Sequence, residues 1–127
     1  MCGKVEAELS ELDAEAAAEF MGTYGIKESG LQRIITSTYA LLGLMSFLTA
    51  GETEVRAWTI PVHSKAVNAA GAIHSDFEKK FIRAEVVNWK DLVDAGGYSG
   101  LRGSTLLRLE GKEYIVKDGD VLVIRHS

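Results

Sequence analysis

The chain has 127 residues, of which 46% are hydrophobic and 25% charged, the composition of an ordinary globular chain of one domain or of a small domain with an appendage. A single cysteine, Cys2, excludes an internal disulfide and a multi-thiolate zinc site, and no apolar run approaches the ~20 residues of a membrane span. The net charge of −4 is uneven: residues 1–30 hold seven acids against Lys4 and Lys27, a net of −5, while the rest holds twelve bases and eleven acids, a net of +1. The acidic head repels nucleic acid, and the near-neutral remainder has room for a local basic patch. Lacking a basic-then-apolar leader, the chain is expected to be cytoplasmic and to have no membrane partner.

In "SELDAEAAAEFMG", Leu9, Leu12, Ala16 and Phe20 recur at steps of three and four and predict one apolar helical stripe. Ser10, with Asp13 three residues on, resembles a capping box, and Gly22 and Gly25 stop the helix. "SGLQRIITSTYALLG" repeats the pattern: Leu31, Ile34, Ile35, Thr38, Leu41 and Leu42 share a face that must pack on something. From Leu44 the period changes to two. "LMSFLTA" and "EVRAWTI" predict a hairpin turned at Gly51-Glu52 and closed by Pro61. "SKAVNAAGAIH" is helix-compatible, with Ala66, Ala69, Ala70 and Ile73 on one side, and "KFIRAEVVNW" alternates again. "KDLVDAGGYSGLRGS" predicts a glycine-rich connection with at most a helical turn at its start. "LLRLEGKEYIVKDGDVLVIRH" predicts three short strands broken at Glu110-Gly111-Lys112 and Asp118-Gly119-Asp120. The sum is a small α+β sheet with one crossing helix, preceded by two short amphipathic helices.

"SFLTAGETEVRAWTI", "AAGAIHSDFEKKFIRAEVV" and "LEGKEYIVKDGDV", in this order and spacing, resemble the C-terminal end of the YchF-type (Obg-like) ATPases. That resemblance implies a TGS domain, a ubiquitin-like β-grasp sheet, over residues 44–127. It also implies that residues 1–43 are a helical lead-in, the end of the nucleotide-binding domain and a connector. The sequence departs from the family where a glycine is replaced by His63, a proline by Val67, a glycine by Lys80, an alanine-rich connection by "GGYSGLRGS", and an aromatic terminus by "IRHS".

His74, Asp76 and Glu78 stand at alternate positions and invite comparison with a metal site. At a helix end such positions splay, and neither His-x-x-x-His nor His-x-x-Glu spacing is present. His74 is therefore expected in the last turn of a helix and Asp76 in a turn, with no metal bound. The only Gly-Lys pairs, Gly3-Lys4 and Gly111-Lys112, lack the Ser or Thr of a phosphate loop. His63, His74 and His126 are scattered, with no nucleophile elbow. The chain is therefore expected to be no enzyme and to carry no cofactor. By resemblance, ATP and Mg²⁺ belong to a full-length P-loop parent.

Lys79, Lys80 and Arg83, supported by Arg102 and Arg108, are the candidate RNA- or ribosome-binding residues, because phosphate contact needs such charges on one face. The resemblance implies ribosome association. The alternative is a ubiquitin-like protein-docking module that acts on its own ATPase domain or on another protein.

Overall fold

In the computed structural model, which describes residues 2–127, the chain divides into two compact units, the division falling between Leu42 and Gly43. The first contains three helices, α1 (Gly3–Ser10), α2 (Ala14–Thr23) and α3 (Gly30–Leu42). One helix was expected where α1 and α2 lie. The chain breaks because the Asp13 side chain caps α2, accepting from the Ala16 N–H at 2.8 Å. Ser10 instead donates to the Ala7 carbonyl in the last turn of α1. Leu9, on α1, is buried, whereas Leu31, Ile34, Ile35 and Leu42 of α3 are exposed and Leu41 is 87% exposed.

The second unit is a five-stranded sheet of order β2-β1-β5-β3-β4, built from β1 (Leu44–Ala50), β2 (Val55–Pro61), β3 (Phe81–Asn88), β4 (Arg108–Glu110) and β5 (Asp120–His126). β1 and β2 form the expected hairpin, closed where the Gly51 N–H donates to the Glu54 carbonyl. β5 lies parallel to β1 at the centre and antiparallel to β3. This mixed sheet with its crossing helix α4 (Ala66–Ile73) is the β-grasp arrangement.

Strand alternation sends side chains to two separate cores. On one face Met45, Phe47, Ile60, Phe81, Ala84, Val86 and Leu122 pack against Ala66, Ala69 and Ala70 of α4. Only small residues let the helix axis come this close. On the other face Val87 and Val121 pack with Leu48, Ala50, Leu92, Ala95 and Leu107 around buried Leu101. This face is covered by α6 (Trp89–Asp94) and a 3-10 turn over Tyr98–Leu101. The glycine-rich connection is thus a structured lid, because Leu92, Leu101 and Leu107 pack on the apolar positions of the sheet beneath it.

Two further details differ from expectation. The crossing helix is followed at once by a second helix, α5 (Ser75–Lys79), and Glu113–Val116 forms no strand. That segment holds a single bridge, Lys65 to Ile115, in which Ala66 N–H donates to Tyr114 and Val116 N–H to Ser64. Its backbone is spent tying down the start of α4. Gly119, at φ +83°, makes the turn into β5, while the Asp118 carboxylate accepts from the Ser46 N–H.

Candidate nucleic-acid interface

β3 begins and β5 ends at the same end of the sheet, where Phe81 faces His126. α5 delivers the chain to this end, so Lys79 is its last residue and Lys80 its C-cap. A register shift between Phe81 and Arg83 then sets Arg83 opposite Arg125. Both arginines lie on the sheet face opposite α4, since their neighbours Ala84 and Ile124 face the α4 core. Lys79, Lys80, Arg83 and Arg125 are all exposed. Arg125 pairs with Glu85 at 3.2 Å, while Lys79, Lys80 and Arg83 have no carboxylate within 4.0 Å among the described residues. Two arginines directly opposite one another repel.

The remaining candidates are elsewhere. Arg102 follows the 3-10 turn in the connection and is exposed. Arg108, on β4, points to the α4 face, where its Nη2 donates to the Tyr114 hydroxyl at 3.2 Å and Glu110 lies 3.7 Å from Nη1. Tyr114 in turn donates to Asp120 at 2.7 Å, and Asp120, buried, also accepts from the Lys117 N–H. Burial, then the bond to Asp120, raises the Tyr114 pKa above its ordinary value, and the bond to Tyr114 raises that of Arg108. Arg108 is half-exposed, and this chain of bonds fixes its guanidinium beside Tyr114. Three of the five candidates, Lys79, Lys80 and Arg83, share an end of the sheet, and Arg125 joins them. Arg125 was missed because nothing in "VIRHS" reveals which strand it pairs with.

His74 caps α5 rather than finishing α4 as its last turn: its Nδ1 accepts from the Asp76 N–H at 3.1 Å. Asp76, expected in a turn, lies instead in the first turn of α5, its carboxylate 3.8 Å from His74 Nδ1. Among the described residues no three His, Cys, Asp or Glu side chains are arranged to hold a metal ion. Trp58 is occupied, its indole N–H donating to Thr49 and its ring lying under the Arg56 guanidinium at 4.1 Å. No helix of the described residues is long and apolar enough to cross a membrane.

The mixed five-stranded β-grasp sheet with its crossing helix defines the class: a TGS-like module. Residues 44–127 match the family YchF-GTPase_C, described as a protein of unknown function (DUF933). The chain belongs to the YchF family and corresponds to its C-terminal region. It is 51% identical over 127 residues to the ribosome-binding ATPase YchF of Bacillus subtilis (strain 168), a match covering all of this chain and 35% of that protein. With the protein of the same name from Escherichia coli O157:H7 it is 51% identical over 122 residues, covering 96% of this chain and 34% of the relative. The solved structure of the Schizosaccharomyces pombe YchF GTPase superposes with a TM-score of 0.77 at 36% identity, over 93% of this chain and 31% of that one. The chain thus spans about a third of the length of the relatives it matches.

Proposed function

We propose that this chain is the non-catalytic module through which a YchF-type ATPase associates with the ribosome, and that the contact is made to RNA. The observation that carries it is the placement of Lys79, Lys80, Arg83 and Arg125 at the same end of the sheet, with a single carboxylate partner among them. The names of the relatives, ribosome-binding ATPases, support the ribosome as the setting. ATP and Mg²⁺ are work for the remainder of a parent protein, so calorimetry of this chain with either ATP or GTP should register no binding.

The decisive experiment is ribosome co-sedimentation of Lys79→Glu/Lys80→Glu/Arg83→Glu. Exposed charge changes cost within ~0.5 kcal/mol, so the variant should melt with the wild type. It should pellet far less with ribosomes, most clearly at low salt. Undiminished pelleting of the folded variant overturns the proposal.

A second reading concerns the helical unit. The exposed Leu31, Ile34, Ile35, Leu41 and Leu42 of α3 form an apolar surface suited to docking on the ATPase part of a parent. That contact is insensitive to salt, which separates it from phosphate binding.

A further inference from the structure

At the cationic end of the sheet, a cleft of about 420 Å³ opens between α5 and the end of β5, lined by Ile73, His74, Asp76, Phe77, Lys80, His126 and Ser127, whose oxygen lies 3.3 Å from His126 Nδ1. Its size is that of a small-ligand cleft. Two of its rings are stacked: Phe77 lies on the His126 imidazole at 4.6 Å with 22° between planes, while the His74 ring is tilted by 52° against Phe77 at 5.9 Å. Phe77 is half-buried, anchored against the α4 core, whereas both imidazoles are exposed. The Nδ1 of His74 is engaged by the α5 backbone, so its ring orientation is set. Lys80 has no carboxylate partner among the described residues. Asp76 also lines the cleft, where a carboxylate repels a bare phosphate but accepts from an exocyclic amino group. The combination suits a base with a phosphate attached better than an anion alone.

We infer that this cleft takes one unstacked base of a single-stranded RNA segment. The base lies against the His126 imidazole, its amino edge faces Asp76, and Lys80 holds the adjoining phosphate. Neighbouring phosphates then run toward Lys79 and, around the end of the sheet, toward the Arg83–Arg125 pair on the face opposite α4. This inference rests on the RNA contact proposed above and adds what that contact lacks, a reason to select unpaired over paired RNA. Aromatic faces stack on any base, so the cleft selects strand state rather than sequence.

The test is anisotropy of a labelled, mixed-sequence single-stranded RNA at low salt, with the full chain and three single variants. His126→Ala should weaken binding about ten-fold, the effect of losing one stacked base. His126→Phe, which keeps a flat ring, should bind within about three-fold of the wild type. Lys80→Ala should weaken binding and lower the slope against log salt by about 0.7, one single-strand phosphate. The same sequence annealed into a duplex should bind more weakly. Wild-type binding that His126→Ala leaves unchanged overturns the cleft and spares the basic end. Equal loss in His126→Ala and His126→Phe, or equal affinity for the duplex, likewise overturns the cleft alone. No binding by the wild type overturns both proposals.

Discussion

On one face of the sheet Phe47, Ala84, Val86 and Leu122 are sealed by α4, a helix of small residues. On the other, Val87 and Val121 are sealed by a connection containing six helical residues and one 3-10 turn, with Leu101 as its plug. Both faces exclude water, but the first does so through a periodic element and the second through individual leucines. A helix resists local collapse because its backbone bonds are satisfied internally. A connection relaxes around a lost side chain more easily. The cost of truncation should therefore differ between faces. Phe47→Ala is expected to cost about 3–5 kcal/mol, and Leu101→Ala about 2–3 kcal/mol, the lower part of the range for a buried leucine. Urea titration of both variants checks the pair, and a larger loss at Leu101 would reverse the comparison.

Glycine positions sharpen it next. A Cβ at Gly100 would run into the carbonyl of Ala95, which belongs to the backbone and cannot step aside. A Cβ at Gly71, in α4, would meet the flexible Glu78 side chain instead. Gly100→Ala should destabilise by about 1–3 kcal/mol through overpacking. Gly71→Ala should stay within about 1 kcal/mol of the wild type, since helix propensity offsets the displaced carboxylate. Similar melting of the two variants would show that the connection yields as readily as a side chain.

The third test lies in the turn between β2 and α4. His63 has φ 70°, in the left-handed region that costs a side-chain-bearing residue roughly 1–2 kcal/mol. The resemblance to YchF-type proteins implies glycine at this position, and the backbone angle explains why. His63→Gly should raise stability by about 1 kcal/mol, after the entropy that glycine adds to the unfolded chain is subtracted. Unchanged or lowered stability would mean that the histidine side chain has contacts that offset its strain.

The contrast between the faces also explains what could be read in advance. The hairpin, α4, β3 and the β-grasp class followed from period and from three blocks of resemblance. Ala66, Ala69 and Ala70 announced a closely packed helix face. The lid did not announce itself, because Leu92, Leu101 and Leu107 share no period and are recognisable as core only once β1, β3 and β5 lie beneath them. The break between α1 and α2 turned on which of two polar residues would cap, a contest of small energies. At the candidate interface Lys79, Lys80 and Arg83 were visible as a run, whereas Arg125 depended on strand register. Arg108 looked identical to the others in sequence. Its bond to Tyr114 and its pairing with Glu110, on the α4 face, are what set it apart from the others.

The smallest expected effect compares one phenol on each face. Tyr114, on the α4 side, bonds to Asp120; Tyr98, on the lid, donates to the Ala50 carbonyl at 3.0 Å. Burial raises both pKa values above the ordinary 10.0; the second cause is the Asp120 bond for Tyr114 and the charge of Glu85 for Tyr98. In each case the folded state favours the protonated phenol. The resulting stability is fully present below the unfolded pKa of about 10 and disappears as pH rises through the folded value. Wild type should therefore exceed Tyr98→Phe and Tyr114→Phe in melting temperature at neutral pH, and the gap should narrow above about pH 10. The narrowing should be the steeper for Tyr114, whose phenolate would stand 2.7 Å from the Asp120 carboxylate, whereas Tyr98 faces a neutral carbonyl. A gap that stays constant through the alkaline range would show that neither phenol is perturbed by its face of the sheet.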